Sequence, residues 1–370
     1  MDSRITVLAK NLVNHSVRVQ KGEKVLISAG GVENTRDLVI EIVKEVYERG
    51  GYPYVKLGDS RINRQLLLGV SEDQLEAQND FELYQMKQMD AYIAIGCSDN
   101  TSEFSDVPPE NLALQSRMLD PVLRQRVDHS KWVILRYPNG SMAQQAKMSS
   151  EAFEDYFFDV CCLDYRKMEE AVKPLKKLMD ETDRVRITAP GTDITFSIKG
   201  IPSVPCCGEC NIPDGEIYTA PVKDSVNGTI SYNTKSEYRG FTFENVKLTF
   251  ENGKIVEAWA NDSERLNKIL DTDEGARFVG EFALGINPYV TKPMLDILFD
   301  EKISGSIHFT PGCCYEDADN TNQSAVHWDL VLRQSEEAGG GEIYFDDVLI
   351  RKNGLFVPES LKGLNPENLR

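Results

Sequence analysis

Four side chains able to bind a metal ion crowd the C-terminal part of this chain: His308, Tyr315, His327 and Asp329. The 370 residues hold only four histidines, and two of them stand here, 19 positions apart. Each lies in a run that reads as a strand, Ile307-His308-Phe309 and Val326-His327-Trp328-Asp329. Alternate residues of a strand share a face. His327 and Asp329 therefore offer an imidazole and a carboxylate side by side, while Trp328 turns the other way, into a core. His308 joins them if its strand is a neighbour. The isolated His15 and His129 read as structural residues.

Two glutamates stand in unusual company. Glu216 follows a Pro213-Asp214-Gly215 turn, which would expose its carboxylate at the start of a strand. Glu281 sits among small and apolar residues in Gly280-Glu-Phe-Ala-Leu-Gly-Ile-Asn-Pro288, where a carboxylate is either solvent-facing or held for a purpose. Taken together, Glu216, Glu281, His308, Tyr315, His327 and Asp329 suit two divalent ions that share a bridging ligand. Imidazole and carboxylate donors fit zinc, cobalt or manganese. The smaller set His308, His327 and Asp329 is also the donor set of a mononuclear non-haem iron(II) oxygenase. Glu281 and Tyr315 discriminate, because one iron needs only three ligands and two ions use all six. The cysteines offer a weaker site: Cys207-x-x-Cys210 is one zinc-type pair, but Cys313-Cys314 lacks the matching spacing. Ala29-Gly30-Gly31 reads as a plain strand-to-helix turn, since no Gly-x-Gly-x-x-Gly follows, and no nucleotide site is expected.

The elements that must position these residues fall into two textures. In the first half, Val25–Ala29 is a short apolar run, and Val39, Ile42, Val43, Val46 and Tyr47 recur at helical spacing up to Gly50-Gly51. Tyr54–Leu57 follows as a strand. A strand–helix–strand unit favours a parallel sheet. Ala91–Gly96 and Trp132–Arg136 add strands, with a helix between them bent or capped around Pro121. A last helix, with Met168, Val172, Leu175 and Met179 on one face, carries Pro174, which predicts a kink or an early break. From about residue 184 the alternation has period two. Asn252-Gly253 and Asn353-Gly354 mark tight hairpin turns, and one helix intervenes around Ser263–Leu270. The expected fold is an α/β domain with a parallel sheet over residues 1–183, then a strand-rich α+β catalytic domain over 184–370.

The bulk numbers bound the partners. A net charge of −18 argues against nucleic acid, because phosphate binding relies on Lys and Arg, and against an anionic membrane surface. No run approaches a membrane span, and the N-terminus lacks the pattern of a signal peptide. Eight cysteines, some in adjacent pairs, suit free thiols in the cytoplasm better than a disulfide framework.

In order, Asn211-x-Pro-x-Gly-Glu-x-x-Thr-Ala-Pro221, Gly280-Glu-x-Ala-Leu-Gly-x-Asn-Pro288, Gly305-x-x-His308 with Tyr315 seven residues on, and His327-x-Asp329 resemble the motifs of the aminopeptidase T and aminopeptidase S family. The motifs cover about residues 205–335, with a looser likeness over the whole chain. The resemblance implies a dinuclear metallo-aminopeptidase with an N-terminal α/β domain, a C-terminal catalytic domain and a homodimeric assembly. It implies Glu216, Glu281, His308, Tyr315, His327 and Asp329 as metal ligands and a peptide with a free N-terminus as substrate. Glu216 or Glu281 would carry the proton to the leaving amine. Tyr315 would be a ligand or an oxyanion donor. A ring-cleaving dihydroxypyridine dioxygenase shares this fold, which keeps the iron alternative in view. The chain departs from the pattern in a short connection from Tyr315 to His327 and in Cys313-Cys314 beside Tyr315.

Overall fold

The computed structural model describes residues 2–370. The chain folds as two compact units, one reaching Cys162 and including Gly208–Ile212, the other formed by Leu163–Cys207 and Pro213–Arg370.

The first unit is the expected α/β layer. Its sheet runs in the order Tyr52–Gly58, Lys24–Gly30, Ala91–Gly96, Lys131–Arg136, Asn211–Ile212, and every pairing is parallel. The helix Val32–Glu48 links the first two strands in sequence and buries Leu38, Val39, Ile42 and Val46; the stripe read from the sequence holds at Val39, Ile42 and Val46, but Tyr47 is exposed. The helix Pro109–His129 runs through Pro121 without interruption. Sequence reasoning missed the two-residue strand Asn211–Ile212, which returns from the second half of the chain to pair with Ile134 and Leu135.

The helix Tyr165–Glu181 was expected to close the first domain, but it lies in the second unit. It also continues through Pro174 instead of breaking there. Its stripe of Tyr165, Met168, Val172, Leu175 and Met179 is buried. Burial worth roughly 1.5–3 kcal/mol per large side chain offsets the ~3 kcal/mol cost of an internal proline.

The second unit is strand-rich. An eight-stranded antiparallel sheet carries both predicted hairpins. Asn252 and Gly253 both adopt positive φ, 47° and 83°, as the tight turn between Lys247–Glu251 and Lys254–Trp259 requires. The last part of the chain holds one turn more than expected, because Asp346 and Asp347 also take positive φ and separate Glu342–Phe345 from Val348–Lys352. The predicted helix Ser263–Leu270 is present, with the Asp262 side chain accepting from the Arg265 backbone N–H at its start.

A second antiparallel sheet positions the chemistry. Its five strands are ordered Val331–Arg333, Ser306–Pro311, Val279–Gly285, Glu216–Thr219 and Val204–Cys206. The two central ones are buried along their whole length. One face is aromatic: Phe196 of the larger sheet lies 5.0 Å, centroid to centroid, from both Phe282 and Phe309. Among the described residues, no helix is long and apolar enough to cross a membrane.

Candidate metal centre

Register alone gathers the predicted residues on the other face of this sheet. Glu281 pairs with Thr310, Ala283 with His308, and Gly285 with Glu216. Side chains two apart along a strand point the same way, so Glu216, His308, Glu281 and Thr310 all face one side. His327 and Asp329 come from an extended segment beyond Val331–Arg333, held by a bridge between Gly312 and His327. Gly312 makes that bridge possible. Its φ is +113°, and a Cβ there would stand 2.0 Å from the Val326 carbonyl oxygen. Trp328 turns away, as the alternation requires, and stacks on Tyr238 at 4.6 Å.

The six predicted side chains come together. His308 Nε2 lies 3.1 Å from Glu281 Oε1 and 3.4 Å from Glu216 Oε2. His327 Nε2 lies 3.3 Å from both Glu281 Oε2 and Asp329 Oδ1. The Tyr315 hydroxyl is 3.2 Å from the same His327 nitrogen. The donors thus form two groups of three, Glu216–Glu281–His308 and Glu281–His327–Asp329, with the donor atoms of each within 4.8 Å of one another. Glu281 belongs to both, one carboxylate oxygen turned to each.

Donors around a tetrahedral ion with bonds of ~2.0–2.1 Å stand roughly 3.3 Å apart, and the spacings above match that edge. Glu216 Oε2 is buried and makes no hydrogen bond, a costly state for a carboxylate oxygen unless a cation satisfies it. The residues therefore fit divalent ions. The expectation that the turn exposes Glu216 is overturned: Glu216 and Glu281 are 6% and 2% exposed. Gly285 pairs with Glu216 across the strands, and the buried Lys302 lies against its carboxylate.

Electrostatics show how the burial is tolerated. Burial alone would lower the His308 pKa, but the Glu281 and Glu216 charges outweigh it and hold the imidazole up to about 10. For His327 the same contest against burial, won by Asp329 and Glu281, ends at about 12. Glu281 and Asp329 are correspondingly held below the usual carboxylate range, against their own burial, by the imidazoles. Thr310 Oγ1 donates to Asp329 Oδ1 at 2.7 Å, and the Cys313 carbonyl lies 2.8 Å from His327 Nδ1. The Cys313 contact reaches the imidazole nitrogen remote from the other donors, and a hydrogen bond there fixes ligand orientation. The Cys313-Cys314 pair thus has a part to play through its backbone. All eight cysteines are free thiols.

Sequence reasoning missed Lys302, Glu301 and Asp214. Lys302 is almost wholly buried, with its ammonium 2.5 Å from Glu216 Oε1, 2.7 Å from Glu301 and 3.7 Å from Asp214. These carboxylates outweigh burial and hold the Lys302 pKa well above its ordinary value. The ammonium occupies one Glu216 oxygen and leaves the other facing His308. Glu301 belongs to neither donor group. Burial pushes its carboxyl up to about 8 in spite of the Lys302 ammonium. The available signal was a charge triplet, Asp300-Glu301-Lys302, bracketed by Ile297, Leu298, Phe299 and Ile303.

Comparisons with known proteins bear on the family and the fold. The family model described as "Thermophilic metalloprotease (M29)" matches residues 1–356. The chain is 27% identical over 360 residues to aminopeptidase AmpS of Bacillus subtilis, covering 85% of this chain and 86% of that protein. It is 25% identical over 410 residues to aminopeptidase T of Thermus aquaticus, covering 96% and 97%. The solved structure of wild-type AmpT from Thermus thermophilus superposes with a TM-score of 0.80 at 21% identity, over 96% of this chain and 99% of that one, which establishes the shared fold. With its family match spanning nearly its whole length, the chain belongs to the thermophilic metalloprotease (M29) family.

Proposed function

We propose that this protein is a dinuclear metallo-aminopeptidase, removing the N-terminal residue of peptides. The observation that carries the reading is the division of the donors into two groups of three that share Glu281. Glu216, Glu281 and His308 would hold one ion, and Glu281, His327 and Asp329 the other, with Tyr315 beside the second. Zinc, cobalt or manganese suits such donors. Two such ions supply Lewis-acid polarisation of the scissile carbonyl and a water whose pKa falls toward ~7.

The chain's own residues do the rest. Glu281 holds the two donor groups at a fixed separation through its two oxygens. Lys302 offsets the charge of Glu216 and keeps it oriented. The Tyr315 phenol is held protonated by burial and by the surrounding carboxylates, so it can donate a hydrogen bond to a developing oxyanion. Glu301, whose carboxyl also meets the Lys302 ammonium at 2.7 Å, belongs to neither donor group and joins Glu216 and Glu281 as a candidate to carry a proton from water to the leaving amine. A raised pKa suits that task. Names given to relatives, aminopeptidases AmpS and T, support the exopeptidase reading.

The iron alternative needs His308, His327 and Asp329 around a single ion. His308 instead groups with Glu216 and His327 with Asp329, and the metalloprotease family match also speaks against it. The test is metal content per chain together with hydrolysis of aminoacyl-p-nitroanilides in added zinc, cobalt or manganese. Two ions and amide cleavage are expected. One iron with oxygen uptake on a dihydroxylated aromatic ring would replace this reading with the other.

A further inference from the structure

The first unit has a cavity of its own, of about 220 Å3, between its parallel sheet and the helices Glu72–Met86 and Pro109–His129. The sheet supplies the floor. Leu26 and Ser28 stand two apart on Lys24–Gly30 and point the same way, and their cross-strand partners Tyr92 and Lys56 join them from the strands on either side. Helical spacing supplies the roof. Leu119, Val122, Leu123 and Arg126 recur at i, i+3, i+4 and i+7 on one helix, and Glu82, Gln85 and Met86 at i, i+3 and i+4 on the other. The roof is loose: none of the 21 residues of Pro109–His129 is buried, and Glu72–Met86 buries only Leu75 and Met86. The helix Val32–Glu48, by contrast, buries seven of its 17 residues.

The lining is divided by chemistry. Leu26 and Met86 are buried, with Val122 packed against them, and make the apolar end. Lys56 is exposed and Glu82 and Arg126 are half-buried, so the polar end opens to solvent. Two cations and one carboxylate meet there, in a protein of net charge −18. Glu82 is engaged: its Oε1 accepts from Lys56 Nζ at 2.7 Å and from Gln78 Nε2 at 2.9 Å. The Arg126 guanidinium lies over the Tyr92 ring, 5.0 Å from the centroid, and its Nε is buried and, among the described residues, meets no hydrogen-bond acceptor. We infer that this cavity binds a small apolar monocarboxylate of about six to ten carbons, with the carboxylate on Arg126 and the tail against Leu26, Met86 and Val122. A carboxylate matches the guanidinium fork with two parallel hydrogen bonds and gives Nε the acceptor it lacks. The size follows from the volume, since a cavity of about 150 Å3 holds a benzene ring and this one is larger by roughly half. A free amino acid fits less well, because its ammonium would meet Lys56 and Arg126 while Glu82 is already engaged.

The test follows the Met86 methyl signal of the full-length, metal-loaded protein by NMR as 3-phenylpropionate or hexanoate is added. A saturable shift is expected with both. Phenylalanine and the uncharged 3-phenylpropanol should bind at least about tenfold more weakly than 3-phenylpropionate. Arg126→Gln removes the charged fork and should weaken 3-phenylpropionate by about tenfold or more. Leu119→Trp keeps the arginine but fills the cavity and should weaken it as much, which preserves the test if the first variant folds poorly. Carboxylates also coordinate metal ions, so binding that leaves the Met86 methyl unmoved overturns the inference. Unchanged affinity in either folded variant does the same, as does equal affinity for phenylalanine or 3-phenylpropanol.

Discussion

On one side of the Val279–Gly285 strand lie Glu281 and Ala283; on the other, one residue away, lie Phe282 and Leu284. The same hydrogen bonds hold both faces, and both are fully buried, yet they do opposite things. The Phe282 face meets Phe309 and Phe196 in edge-on and tilted ring contacts and gains about 1.5–3 kcal/mol for each large side chain taken out of water. The Glu281 face buries carboxylates, imidazoles and an ammonium, and desolvating such groups costs several kcal/mol each unless they are well paired. One face stabilises the sheet; the other spends part of that stability to hold charge where water cannot screen it. A period of two is what lets a single strand carry both.

The sharpest way to break this comparison is to alter each face by one residue. Glu281→Ala removes the donor common to both groups. Changing a residue that merely orients a ligand costs about 10–100-fold in metal affinity or activity, so the loss here should exceed about a hundredfold, with metal content falling for both ions. The circular dichroism spectrum should stay native. Retention of two tightly bound ions would show that Glu281 is not shared. Phe309→Ala attacks the other face, where Phe309 is fully buried. It should lower the unfolding free energy by about 3–5 kcal/mol, while the folded fraction keeps both ions. Equal metal loss in the two variants would erase the distinction between the faces.

Glu301→Gln sharpens the picture within the polar face. The amide keeps the shape and a hydrogen-bonding oxygen for Lys302 but cannot carry a proton. A fall in kcat of about a hundredfold with unchanged metal stoichiometry and little change in KM is the expected outcome. If Glu301 only balances the charge of Lys302, the variant should instead lose stability or metal and keep its turnover per bound ion.

That the six side chains come together was legible because their signals are local: His327 and Asp329 share a face by strand geometry, and Glu216 and Glu281 stand in recognisable runs. Their grouping was not, since it depends on register. Which carboxylate is shared follows from Glu281 facing Thr310 and Ala283 facing His308, and no short stretch of sequence encodes that pairing. Lys302 escaped notice for a related reason. A Lys next to Asp and Glu reads as solvated surface, and only packing beside Glu216 buries it. The helix Tyr165–Glu181 was assigned to the wrong unit because its apolar stripe says that it packs but not against what. The hairpins, by contrast, came through with their turns, as the positive φ at Asn252 and Gly253 is demanded by two adjacent residues alone.

Protonation gives a last test, smaller in effect and directed at the polar face only. In the metal-free protein His308 is held up to about 10 and His327 to about 12, so both are imidazolium at pH 7. A metal ion needs the neutral ring, and each bound ion should therefore release about one proton near neutrality. Apparent affinity should then rise by about tenfold for each pH unit between roughly 6.5 and 9. The linkage to folding runs the other way. Both pKa values are raised above the unfolded value of ~6.5, so their contribution to metal-free stability is full below that pH and is lost as pH climbs through about 10 to 12. Raising the pH should weaken the metal-free fold while tightening metal binding. Titration calorimetry in buffers of different ionisation enthalpy counts the protons released. A value near zero would mean that the imidazoles are already neutral, and that the carboxylates facing them are satisfied by something other than charge.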